Sequence, residues 1–183
     1  EVLSTVDTSA EPRHHGMVSK ATTQADMESP WFAHWCAELH IAPLYHRKLW
    51  EFAVLLQTLH EHDLLRAGVR GVGFGCGEEP LASYFASHGM DALITDLDAG
   101  QSAGKGWVET GQHALSKELA FKPDLVDRDR FDRHVTHRFV DMNEIPDDIG
   151  DGYDFCWSVC AMEHVGSIEQ GLAFVERSLE LLR

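Results

Sequence analysis

Apolar residues change their spacing several times along this chain, and each change marks a different element. Residues 1–30 mix Ser, Thr, Ala, Glu and His without an apolar period, which reads as a flexible tail. From Trp31 the pattern becomes helical: Trp31, Phe32 and Trp35, then Leu49, Phe52, Ala53, Leu56 and Leu59 recur at three and four. Residues 31–66 are therefore expected to form a helical extension packing on the domain that follows. Gly68 breaks the period. In Gly71-Val72-Gly73-Phe74-Gly75-Cys76-Gly77-Glu78-Glu79-Pro80, apolar residues alternate with glycine and then stop, the mark of a buried strand and a tight turn. Leu81, Tyr84, Phe85 and His88 continue it as a helix starting near Pro80.

The remaining pattern repeats the theme. Asp91–Asp96 reads as a second strand, Val135–Val140 as a third and Tyr153–Val159 as a fourth. Ala99–Leu119 has weak helical character broken by Gly100, Gly104, Gly106 and Gly111, and Lys122–Arg133 is a charged stretch expected as a solvated loop. Ile168, Leu172, Val175, Leu179 and Leu182 predict a strongly amphipathic last helix. Strands alternating with helices imply an α/β fold with a mainly parallel sheet over residues 67–183.

Charge and composition narrow the partners. A formal net charge of −15 disfavours nucleic acid and anionic membrane surfaces. No apolar run approaches the ~20 residues that span a bilayer, and the polar first residues do not resemble a signal peptide. Cys36, Cys76, Cys156 and Cys160 are scattered without a CxxC pair, as expected of buried thiols in a reducing compartment; a cytoplasmic location is expected. Cys156, Cys160 and His164 stand four apart, but Cys156 falls in a predicted strand, so a shared helical face is not expected and no metal site is assigned.

The glycine turn fits no phosphate-binding pattern. A dinucleotide turn wants GxGxxG, yet the third position is Glu78 counted from Gly73 and Pro80 counted from Gly75; no GK[ST] follows either. Glu78 and Glu79 sit where a pyrophosphate would meet the helix. Two carboxylates there would repel phosphate and suit a ligand carrying an amino group and a sulfonium. The plainer reading is that acids in a first helical turn complement the helix dipole and that Pro is common at its start.

Four stations in order resemble the S-adenosylmethionine-dependent methyltransferases of class I, over about Leu65–Arg183: Gly73-Phe74-Gly75-Cys76-Gly77, Asp96, Val140-Asp141-Met142, and Asp154–Ser158 with Met162-Glu163-His164-Val165. The resemblance implies a Rossmann-like sheet with flanking helices and S-adenosyl-L-methionine as cofactor. It implies that Gly73, Gly75 and Gly77 hold the methionine portion, Asp96 with Leu97 beside it the ribose, Asp141 and Met142 the adenine, and that Trp157 and Ser158 lie against the cofactor. Three departures stand out. The acid that often precedes the motif's first glycine is replaced by Gly73, the third motif glycine by Glu79, and the family's last three strands do not follow the helix at Ile168–Arg183. The expected domain is accordingly incomplete at its C-terminus, covered by a homo-oligomer or a completing chain.

Methyl transfer from a sulfonium needs nucleophile, methyl and sulfur held in line, and a general base where the nucleophile is a hydroxyl. His164, just after the fourth strand at the carboxyl edge, is the first candidate for that base; His113 is the second. The acceptor expected is a small molecule or glycan-type compound. The competing reading is a non-catalytic cofactor-binding or assembly module with the same fold; a nicotinamide-dependent oxidoreductase is disfavoured by the absent third glycine.

Overall fold

A computed structural model describes residues 12–98 and 117–183. It divides into two compact units, Glu1–Leu65 and Arg66–Arg183. The first unit contains α1 (Gln24–Met27), α2 (Pro30–Glu38) and α3 (Arg47–Glu61). Part of the stretch read as a tail is thus ordered by local signals. Thr23 and Asp26 form a reciprocal capping box, and Ser29 caps α2 just ahead of Pro30. Trp35 donates its indole N–H to fully buried Gln57 at 2.7 Å. Gln57 in turn donates to the Arg13 carbonyl at 2.7 Å and to Glu61 at 2.8 Å, so every polar end of this buried amide is used.

The second unit is an α/β layer. Its strands are β1 (Arg70–Phe74), β2 (Asp91–Asp96), β3 (Val135–Phe139) and β4 (Phe155–Trp157), in the order β3-β2-β1-β4, with all three pairings parallel. This is the Rossmann-like sheet with flanking helices expected from the sequence. Among the described residues the helices of this unit are α4 (Leu81–Ser87), α5 (Lys117–Ala120), α6 (Arg128–His134) and α7 (Ile168–Leu179). Most of the weak helical stretch at 99–119, His113 included, lies outside the described residues.

Alternation sorts the sheet into two faces. On one, Gly71 pairs with Phe155 and Gly73 with Trp157, and a Cβ on either glycine would overlap the opposing ring. The two rings stack at 5.5 Å and meet Phe85 of α4 at 5.4 and 5.2 Å. On the other face, Val72 and Phe74 are fully buried with Met142, Val165 and Phe174, and Phe74 meets Phe174 of α7 edge-on at 5.2 Å. The alternating glycines therefore serve the core: they make room on β1 for the aromatic side chains of β4.

Two boundaries differ from the sequence expectation. Lys122–Arg133 is not all loop, because Asp127 caps α6 by accepting from Arg130 N at 2.9 Å and Phe131 buries itself completely. Exposed charges on this stretch conceal that single anchoring ring. The fourth strand is shorter than Tyr153–Val159. Tyr153 bridges in parallel to Leu182, and Cys160, at φ 53°, turns the chain after Trp157.

Candidate nucleoside-binding site

The carboxyl ends of the parallel strands carry the candidate site, as open α/β sheets dictate. β2 ends on Asp96, which is only 2% exposed. Its carboxylate accepts from Gly77 N at 2.8 Å and from Leu97 N at 3.0 Å. The first bond explains the turn after β1: Gly75 and Gly77 take left-handed φ values of 65° and 55°, and this folds the Gly77 amide towards the neighbouring strand end. Cys76 N donates to the Thr95 carbonyl at 3.1 Å, and Thr95 Oγ1 to the Gly73 carbonyl at 2.8 Å, locking turn and strand together.

After β3, Val140 N donates to the Asp96 carbonyl at 2.8 Å. Asp141 then closes a side-chain turn by accepting from Asn143 N at 2.9 Å, while its carbonyl accepts from Glu144 N at 2.9 Å. After β4, the chain crosses above the glycine turn: a Cβ on Gly75 would meet Ala161 Cβ at 2.5 Å and Met142 Sδ at 3.7 Å. A single helical turn at Met162–His164 follows. These three loops close over a small cavity of about 20 Å³, lined by Gly75, Asp96, Leu97, Val140, Asp141, Met142, Asn143, His164 and Val165.

The structure therefore brings together Gly75, Asp96, Leu97, Asp141, Met142 and His164 from the expected set. Gly77 acts one step back, through its amide on Asp96. Gly73 and Trp157 do not line this cavity: Trp157 is 5% exposed and its ring covers Gly73 beside Cys76. The Trp157 indole nitrogen and Ser158 hydroxyl are buried and have no hydrogen-bond partner among the described residues. Glu79 is 3% exposed, so it is not a solvated first-turn acid. Asn143 was missed by motif reading, while Val140 and Val165 fell inside the motif stations but were given no contact; the Asp-x-Asn spacing of a side-chain turn is the signal that carries Asn143.

Burial holds the imidazole of His137, on β3, below its usual range, and the nearby Asp96 charge offsets this only in part. Burial likewise pushes the Cys156 thiol up, which keeps it protonated. Among the described residues there is no group of three or more His, Cys, Asp or Glu side chains able to hold a metal ion.

No family model matches the chain, and no curated protein matches it. Among solved structures it is similar to an S-adenosylmethionine-dependent methyltransferase from Geobacter sulfurreducens in complex with S-adenosyl-L-homocysteine, at 21% identity and a TM-score of 0.44 over 70% of this chain and 43% of that one. It is also similar to a methyltransferase from Thiobacillus denitrificans with the same ligand, at 17% identity and a TM-score of 0.44 over 96% and 48%. A TehB-like methyltransferase from Corynebacterium glutamicum gives 18% identity and a TM-score of 0.41 over 65% and 53%. The chain thus spans about half the length, or less, of these structures.

Proposed function

We propose that the chain forms the cofactor-binding part of an S-adenosyl-L-methionine-dependent methyltransferase acting on a small-molecule or glycan-type acceptor. The observation that carries this reading is the placement of Asp96. A buried carboxylate stands at the end of β2, opens onto the same cavity as Asp141 and Met142, and is preceded by a glycine turn unsuited to phosphate. A carboxylate is an acceptor with two oxygens, the chemistry that suits the two hydroxyls of a ribose. Met142 and Val165 supply apolar walls for a flat base, and Asp141 an acceptor at its edge.

The cofactor, when bound, supplies an electrophilic methyl on a sulfonium that leaves as a neutral thioether. The protein holds the acceptor in line with it, where orientation contributes most of the acceleration. His164 lies on the cavity wall and would take the proton from an acceptor hydroxyl. The buried carboxylates Asp96 and Glu79 favour a ligand with a cationic end over one with a pyrophosphate.

Titration calorimetry tests this directly with S-adenosyl-L-homocysteine and NAD. The expected outcome is binding of the first and not the second, and a loss of at least tenfold in Asp96→Ala, about 1.4 kcal/mol or more. Binding of NAD alone, or of neither, would overturn the reading. The second reading, a binding module without turnover, is favoured by Gly73 standing where the family often carries an acid. Cofactor binding without methyl transfer to any acceptor in a screen of small hydroxyl and amine compounds would favour it.

A further inference from the structure

The turn that carries His164 is held weakly by its own backbone. His164 N donates to the Ala161 carbonyl at 3.0 Å and Val165 N to the Met162 carbonyl at 3.3 Å. At either side the chain bends through left-handed φ values, 53° at Cys160 and 117° at Gly166. Met162, Glu163 and His164 are exposed, and Ala161 and Val165 are buried in the core. A side chain from outside the segment also fastens it: Asn143 donates its amide N–H to the Val165 carbonyl at 3.1 Å, across 22 residues of chain. Asn143 is itself held, because Asp141 accepts from its backbone amide at 2.9 Å.

We propose that Asn143 is a positioning residue, the link that passes occupancy of the cavity between Asp96 and Met142 on to the turn carrying His164. The ligand side of the link rests on the methyltransferase reading above; the structural side does not. Asp141, Asn143 and Val165 all line the cavity, which at about 20 Å³ must widen to admit a base, so entry of one displaces both ends of the Asp141–Asn143–Val165 chain. With both ends pinned, the Ala161–Gly166 segment has one position; without the amide donor it samples several. His164 acts on the reacting atoms only in the first case. The amide is suited to the task in a way a carboxylate is not: it presents a donor to the carbonyl without placing charge on the cavity rim.

The test compares the wild-type chain with Asn143→Ala, Asn143→Asp (same shape, no N–H donor) and Asn143→Gln (donor kept on a longer stem). Hydrogen exchange over residues 161–166 is measured first without ligand, beside melting temperature. Loss of one hydrogen bond gives exchange about five- to tenfold faster in the Ala and Asp variants, confined to this segment, with Gln restoring protection at least in part. The second arm adds saturating S-adenosyl-L-homocysteine. Wild type gains protection at both 94–97 and 161–166, whereas the Asp variant gains it only at 94–97. Unchanged exchange in the Ala and Asp variants overturns the proposal, as does faster exchange spread over the whole sheet. Equal ligand protection of 161–166 in the Asp variant overturns the coupling. If wild type shows no ligand effect at all, the methyltransferase reading fails, and the first arm still decides whether Asn143 holds the turn.

Discussion

At the scale of single residues, the glycines of β1 do two kinds of work that one motif conceals. Gly75 and Gly77 take left-handed backbone, and Gly77 delivers an amide to Asp96. Gly71 and Gly73 instead leave slots for Phe155 and Trp157. Gly73→Ala is therefore expected to destabilise by ~1–3 kcal/mol through overpacking, since its Cβ overlaps the Trp157 ring and Cys76 Sγ. Thermal unfolding checks it, and the double variant Gly73→Ala/Trp157→Leu should recover part of the loss because the slot's occupant shrinks. An unchanged melting temperature in Gly73→Ala would remove the packing explanation and return Gly73 to a ligand contact. Motif reading singled out Asp96, Asp141 and Met142, which line one cavity, because strand-end position follows from chain order. It could not separate the two kinds of glycine, because the partner rings lie more than eighty residues away.

At the scale of elements, a set of hydrogen bonds ties residues 13–17 to α3. Glu61 accepts from His15 N at 2.7 Å and Met17 N at 2.8 Å, and its side chain is only 4% exposed. Burial works to raise its pKa, but hydrogen bonds from Gln57, Met17 and His15 and the nearby His14 prevail and hold it at about 2. A carboxylate depressed in the folded state contributes stability above its unfolded pKa, near 4.5, and loses it as pH falls towards 2. Hydrogen exchange of the His15 and Met17 amides should therefore accelerate between about pH 4.5 and pH 2, after correction for intrinsic rates. In Glu61→Gln, which keeps an acceptor but not the charge, that pH dependence should vanish; its survival would assign the acid sensitivity elsewhere. This contact was illegible in the sequence, since residues 12–17 carry no apolar period and their order comes from backbone amides captured by a distant acid. Strands and the last helix were legible, because alternation and three-to-four spacing are properties of neighbours. The α6 helix was hidden for the opposite reason: only Phe131 is buried, and one ring makes no period.

At the scale of the whole molecule, two surface properties oppose each other. The chain carries a net charge of −15, which keeps copies apart at low salt. Helix α7 nevertheless exposes Ile168 at 80%, Leu172 at 60%, Val175 at 38% and Leu179 at 55%, spaced so that they share one stripe. Ile168, Leu172 and Val175 border a cavity of about 540 Å³ lined also by Met162 and Gly171. A contiguous apolar stripe of this kind is sticky in water, and charge repulsion is the term that salt removes. Self-association of this chain should therefore rise between roughly 20 and 500 mM NaCl, a range that shortens the Debye length from about 20 Å to about 4 Å. An association held by ion pairs would fall over the same range. Sedimentation velocity at fixed protein concentration reads the difference. The double variant Leu172→Gln/Leu179→Gln should stay monomeric throughout with little change in melting temperature, because neither side chain contributes a buried contact to the core. Salt-driven association that persists in the double variant would place the contact on another face, with the outer strands β3 and β4 next in line.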